Sequence, residues 1–257
     1  MKALPWIFLA AMGVFIYLPV GALVLFSFQG GTLPVPPFNG PSFQWYADIL
    51  GDRDLMAALG HSMLVGLGSS AVATLLGFTA AYGLARHHLP GTTLMRAMLI
   101  APLCVSYLII GLGLLIMVQR LGLGLGLSLG TAGIGHVVIN LPLCFSIIYA
   151  SMGAQQLSAE RAARDLGATE AKVVLLITVP MLLPAIAAAF FLSFTLSWDE
   201  FIISFLLTRF DVTLPVEIWS MLRSGLSPRL NAIGSLVFLV SVVVVLAMET
   251  LLFGKRK

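Results

Sequence analysis

Six stretches of the chain are continuously apolar, at approximately 6–28, 62–85, 97–118, 132–152, 185–207 and 232–253. A helix needs about 20 apolar residues to cross the hydrocarbon core of a bilayer, and each stretch reaches that length. A barrel strand would instead alternate apolar and polar positions over about 10 residues. The pattern predicts an all-α membrane protein. It is a six-helix transmembrane bundle in which residues 1–257 form one transmembrane domain with little mass outside the bilayer.

The polar segments define the connections. Residues 29–41, QGGTLPVPPFNGP, hold four prolines and three glycines, which forbids a regular helix and predicts an outer loop. Residues 42–50 predict a short interfacial helix, with Trp45 and Tyr46 at the headgroup level where aromatic rings collect. Residues 86–96, RHHLPGTTLMR, predict a tight basic turn. His87 and His88 are adjacent, so on a helix they would not face one site. The glycines of 119–131 read as a flexible outer turn between the third and fourth spans. His136 and Asn140 follow one helical turn apart, a spacing suited to interhelical hydrogen bonds.

Composition narrows the class further. Hydrophobic residues make up 59% and charged residues 10% of the chain, and the mean hydropathy is +1.03. A soluble domain has about 45–50% and about 25% respectively. So few charges cannot cover a soluble globule of this size. Nucleic-acid binding, secreted disulfide scaffolds and disorder are excluded. Cys104 and Cys144 both fall in apolar stretches and form no disulfide framework or metal spacing.

The net charge of +3 reports topology in such a protein. One set of ends carries Lys2, Arg86, Arg96, Arg161, Arg164, Lys172, Lys255, Arg256 and Lys257. The other carries Arg53, Arg120, Arg209, Arg223 and Arg229. The richer set is expected inside, with both termini cytoplasmic. The first apolar stretch is longer than a signal-peptide core and has a minimal polar lead, so it is expected to stay as a span.

Residues 157–184, LSAERAARDLGATEAKVVLLITVPMLLP, form the most charged connection. Ser158 is expected to cap a helix. Ala159, Ala162, Ala163 and Leu166 share one face of it, and Glu160, Arg161, Arg164 and Asp165 occupy the remaining surface. Gly167 suits the left-handed residue that ends such a helix. Thr169 then caps a second helix opening with Glu170, and Pro180 and Pro184 mark a bend into the next span. The result is a helix-turn-helix elbow, able to seat in a groove on another protein.

These residues resemble a known family. The pattern Glu-Ala-Ala, three residues, Gly, nine residues, Ile, one residue, Leu-Pro marks the permease subunits of bacterial ABC importers. Ala162, Ala163, Gly167, Ile177 and Pro180 stand at matching positions. Arg161 replaces the leading Glu, with Glu160 one residue earlier, and Val179 replaces Leu. A second stretch, FTLSWDEFIISFLLT followed by TLPVEIWSMLRSGLSPRLNAI, is similar to the spermidine/putrescine-type permeases. Leu214, Pro215, Ser220, Gly225, Ser227, Pro228, Asn231 and Ala232 match that pattern.

The resemblance implies a type I importer permease in the bacterial inner membrane, paired with a second permease subunit. Two ATP-binding subunits would carry ATP and Mg, and an extracytoplasmic binding protein would deliver the solute. The loop at about 153–173 would be the ATPase-coupling element, through Glu160, Arg161, Ala162, Ala163, Arg164, Asp165, Gly167 and Ala168. This chain has no Gly-Lys-Ser/Thr phosphate loop, so it is expected to bind no cofactor and to be no enzyme itself. The implied solute is a polyamine or a related amine. The alternative is a permease of the same kind for another small solute, such as an amino acid derivative, an opine or ferric iron.

Ionisable residues inside apolar spans are candidates for a transport path. Asp199 and Glu200 interrupt the fifth apolar stretch. Two adjacent carboxylates resist joint ionisation, and a passing ammonium would relieve that repulsion. Trp198 could add a cation–π face, and Tyr107 is expected near the middle of the third span. The alternative is that either acid pairs with Arg209, Arg223 or a base of the partner permease to set a gate. An ion-coupled carrier would call for internal repeats, which the two halves do not show.

Overall fold

The computed structural model describes residues 3–87, 90–120 and 126–253. Lys2, His88, Lys255, Arg256, Lys257 and part of the 119–131 turn, all used above, lie outside the described residues. The α-helices are α1 (Ala3–Ser27), α2 (Gln44–Gly51), α3 (Arg53–Arg86), α4 (Thr92–Ile100), α5 (Tyr107–Arg120), α6 (Leu129–Ser151), α7 (Ala154–Asp165), α8 (Glu170–Val173), α9 (Val179–Trp198), α10 (Ile202–Leu207), α11 (Leu214–Ser224) and α12 (Pro228–Phe253).

Among the described residues, Pro5–Ser27, Arg53–Arg86, Leu129–Ser151, Glu170–Trp198 and Pro228–Thr250 are long and apolar enough to cross a membrane. The third expected span differs. Thr92–Cys104 and Tyr107–Arg120 meet at an angle of 105°, so 97–118 is two helices with a sharp break between them, not one straight helix. A 3₁₀ turn at Ala101–Cys104 tightens the end of α4, Val105 is extended, and the Ser106 carbonyl accepts the first bonds of α5. Tyr107 is therefore the first residue of α5 and not the middle of a span.

The fifth expected span is also broken. α9 ends at Trp198 and α10 begins at Ile202. At its other end Pro180 and Pro184 do not separate it from the elbow, because helix runs on from Glu170 to Trp198. A π turn at Val174–Thr178 lies between, and the Val179 N–H reaches back five residues to the Val174 carbonyl. Pro180 has no N–H to donate, so the helical ladder already lacks a bond where the wide turn gives way to α9.

The chain divides into two compact units. The first comprises Met1–Ala58 and Val216–Val243. Here the loop over 29–41 folds around Gln29, which is 1% exposed. Its amide donates to the carbonyls of Val35 and Pro37 and accepts from Asn39 N–H. Trp45 and Tyr46 tie α2 to the loop and to the end of α1. Trp45 Nε1 donates to the Gln29 carbonyl at 2.7 Å, and the Tyr46 hydroxyl bonds Ser27 Oγ at 2.7 Å. Asp52 accepts the N–H groups of Asp54 and Leu55 and pairs with Arg229.

The second unit comprises Leu59–Pro215 and Val244–Lys257. Its centre is α6, flanked by α9, α5 and α10. One apolar cluster gathers Ala73, Ala81, Cys144, Phe145, Ile148 and Ala189, and a second gathers Ala132, Ile139, Ile203 and Leu207. Gly135 lets α10 approach α6, because a Cβ there would collide with Ile203. Cys144 is buried in the first cluster, whereas Cys104 is exposed.

Candidate functional site

The elbow forms, with its helix starting earlier than expected. α7 begins at Ala154, where the Gln156 side chain accepts the Gly153 N–H at 2.7 Å. Ser158 is not the cap; inside the helix it donates to the Ala154 carbonyl at 3.0 Å. Gly167 takes φ +84°, the left-handed geometry that ends the helix, as expected. Thr169 precedes α8 in extended conformation but makes no side-chain cap.

The faces of α7 are also redistributed. Arg161, Ala162 and Asp165 are exposed, and Leu166 is 89% exposed. Ala159, Ala163, Arg164 and Ala168 are half-buried, and Gly167 is exposed. Glu160 is not on the surface: its exposure is 0%. The alternation of Ala and charge around the helix did not reveal this, because the burying partners are far away in sequence. Arg86, the last residue of α3, donates to Glu160 through Nε at 2.7 Å and through a guanidinium nitrogen at 3.1 Å. Thr178 Oγ1 donates to the same carboxylate at 2.9 Å.

Beside this cluster Arg164 forks onto Glu170 at 2.7 and 3.0 Å and reaches the Tyr82 hydroxyl at 3.4 Å. The Glu170 carboxylate raises the Arg164 pKa and so secures its charge. Arg164 thereby ties α7 to α8 across the Gly167 turn.

The second candidate region is the break between α9 and α10. Asp199 is exposed, and none of the ion pairs among the described residues involves it. Glu200 is 6% exposed and turns inward. Its carboxylate accepts the Ile203 N–H at 2.9 and 3.0 Å and the Ser204 N–H at 3.2 Å. An anion at a helix N-terminus satisfies amides that lack intrahelical partners and meets the positive end of the helix dipole. Glu200 thus caps α10, and it bonds neither Arg209 nor Arg223 among the described residues.

His136 braces the same break from α6. One ring nitrogen lies 2.5 Å from Ser197 Oγ at the end of α9, and the other lies 3.0 Å from Ser204 Oγ in α10. Ser197 continues to Ser69 of α3 at 3.0 Å. The expected interhelical role of His136 and Asn140 is met, with Asn140 donating to the Ser193 carbonyl at 3.4 Å. Trp198 is 3% exposed and stacks on Phe194, so its ring face is not open to a solute. Tyr107 is half-buried against the cluster holding Ile203 and Leu207.

The residues missed by sequence reasoning are Arg86, Tyr82, Thr178, Ser197 and Ser204. Arg86 counted only as a topology charge, and the others are small or amphipathic residues inside apolar runs. Two open apolar grooves, of about 470 and 490 Å³, are lined almost entirely by aliphatic and aromatic side chains. Neither offers a carboxylate to a cationic solute.

Comparisons agree with this architecture. The family described as "Binding-protein-dependent transport system inner membrane component" matches residues 73–256. The putrescine transport system permease protein PotI of Escherichia coli (strain K12) is 34% identical over 241 residues, covering 91% of this chain and 85% of that protein. The spermidine/putrescine transport system permease protein PotC of the same strain is 29% identical over 252 residues, covering 97% and 94%. A solved bacterial alginate ABC transporter in complex with an alginate pentasaccharide-bound periplasmic protein aligns with TM-score 0.78 at 15% identity, over 99% of this chain and 93% of its own. The MetNI methionine ABC transporter aligns with TM-score 0.61 at 14% identity, over 78% and 93%. With a family match across most of its length, a bundle of apolar helices and the elbow in place, this chain belongs to the binding-protein-dependent transport system inner membrane components and has the all-α type I importer permease fold.

Proposed function

We propose that this chain is one permease subunit of an ATP-driven importer that carries a polyamine or a closely related amine. The observation that carries the reading is similarity along nearly the whole chain to two permeases named for putrescine and spermidine. A second permease would complete the path. Two ATP-binding subunits, holding ATP and Mg, would sit beneath α7. An extracytoplasmic binding protein would deliver the solute, and both termini would lie in the cytoplasm of a bacterium.

The exposed face of α7 supports the ATPase contact. Ala162 and Leu166 offer a small apolar patch flanked by Arg161 and Asp165. ATP can drive the bundle only through a difference in ATPase affinity for its two states. Asp199 supports the substrate class, being the exposed carboxylate at a break in an apolar run. Glu200, Trp198 and Tyr107 would shape the path from behind it.

The test is reconstitution of the chain with its partner permease, ATPase and binding protein in proteoliposomes. The reading expects the ATPase to co-purify, and radiolabelled putrescine or spermidine to enter only with ATP and the binding protein. Asp199→Asn should lower uptake while leaving assembly intact. A chain that transports alone, or a complex that ignores both amines, overturns it.

A further inference from the structure

The buried carboxylate of Glu160 has a consequence for how force crosses this protein. α7 has two opposed faces. One, with Arg161, Ala162, Asp165 and Leu166, is open. The other ends in Glu160, which is fully buried and cannot touch a docking subunit. Its Oε2 accepts from Arg86 Nε, and its Oε1 accepts from both the Arg86 guanidinium and Thr178. Arg86 is the end of α3, and its side chain is 7% exposed. Thr178 closes the π turn that leads into α9.

We infer that Arg86, Glu160 and Thr178 form a clamp that makes the coupling helix move as one body with α3 and α9. The inference rests on the reading of α7 as the ATPase contact. Apolar contacts are non-directional, so helices joined only by them can slide. Hydrogen bonds weaken steeply with angle and distance. A carboxylate held by a two-pronged guanidinium and a hydroxyl therefore resists shear. A buried ion pair is a poor way to gain stability, because desolvation offsets its attraction; fixing register is the use best attested for such groups. The π turn fits the same reading, since it sets where Thr178 meets the carboxylate. Arg86, Glu160 and Thr178 are positioning residues in this scheme: none needs to touch the solute or nucleotide.

The experiment uses the full reconstituted importer and reads three quantities: ATPase subunit co-purified, ATP hydrolysed, and solute transported per ATP. Glu160→Gln keeps the shape but points an amide N–H₂ at groups that are themselves donors. Arg86→Lys keeps the charge and loses the fork. Thr178→Val removes one hydroxyl with little change in volume. In assembled complexes the clamp predicts that transport per ATP falls roughly tenfold for Glu160→Gln, within the range usual for coupling between sites. Arg86→Lys and Thr178→Val should lose less, about threefold, while the co-purified ATPase stays at the wild-type ratio.

A merely structural role gives a different result. Uptake and hydrolysis then decline together with the amount of complex, and transport per ATP stays within about twofold of wild type. That outcome overturns the clamp. If Glu160→Gln fails to insert, Thr178→Val decides by the same ratio. If the wild-type chain retains no ATPase, the coupling reading of α7 has itself failed, and the clamp goes with it.

Discussion

Glu200 and Asp199 are neighbours in sequence with opposite environments, and substitution separates their roles. Glu200→Ala leaves the N–H groups of Ile203 and Ser204 buried at the start of α10 with no acceptor. A buried donor left unpaired costs about 1–3 kcal/mol, and there are two. Part of that is offset, because the change also removes a carboxylate whose burial was unfavourable. The net expectation is a loss of about 2–4 kcal/mol, at or above the upper end of what helix caps usually contribute. At about 2–4 °C per kcal/mol for a domain of this size, Tm should fall on the order of 10 °C. Glu200→Gln keeps one acceptor oxygen and should fall between. Asp199→Asn removes no bond seen in the structure and should leave Tm unchanged while lowering uptake. Thermal unfolding of the purified complex, followed by size-exclusion fluorescence, measures the first quantity, and proteoliposome uptake measures the second. A Glu200→Ala protein as stable as wild type would refute the capping role. So would an Asp199→Asn protein destabilised as much as Glu200→Ala.

Three further outcomes follow from the packing and the elbow. Gly135→Val places side-chain carbon where Ile203 sits, so α10 must shift; overpacking of this kind costs about 1–3 kcal/mol and should lower Tm, whereas Gly133→Ala, with open space at its Cβ, should not. Gly167→Pro cannot adopt φ +84°, and Ala162→Trp puts a bulky ring on the open face of α7; each should abolish uptake while the protein still inserts, measured by membrane fractionation and transport. Asp52 has its pKa lowered first by the Leu55 N–H, against the effect of burial, with Arg229 adding to the lowering. Because the folded value is depressed, the stabilisation is fully present above pH ~4 and is lost as the pH falls through the folded value. The Tm difference between wild type and Asp52→Asn should therefore be small at neutral pH, as befits a pair about one-quarter exposed, and should shrink further in acid.

The apolar stretches announced the spans because a bilayer imposes length and hydropathy directly on sequence. Their breaks were less legible. Asp199 and Glu200 were visible as acids in an apolar run, yet a hydropathy window smooths over a three-residue gap. The same window hid the turn between Cys104 and Tyr107. The elbow was readable from Gly167 and the alanines around it, since a left-handed C-terminal residue has few alternatives to glycine. Which face of α7 is buried was not readable. It depends on Arg86 and Thr178, residues 74 and 18 positions away from Glu160, and local periodicity carries no information about partners at that separation. His136 was singled out correctly as a bonding residue, but its partners Ser197 and Ser204 are serines of a kind common in any helix.

The two polar clusters lie at opposite ends of one helix. Thr178 precedes α9 and Ser197 lies in its last turn, 19 residues apart, which is about 28 Å along a helix. Between them α9 presents almost only apolar side chains. Lipid tails are as apolar as those side chains, so hydrophobic burial gives no net preference for one helix neighbour over another within the bilayer. Register along α9 must then come from close packing and from directional bonds, which come from the Glu160 carboxylate at one end and from His136 and Asn140 toward the other. The broken half-helix α10 depends on the latter: its first amides are held by Glu200, and its angle to α9 is spanned by one imidazole bonded to both. Under the proposed coupling, a displacement entering at Thr178 would reach the exposed carboxylate of Asp199 along α9, a helix held by directional bonds near both ends.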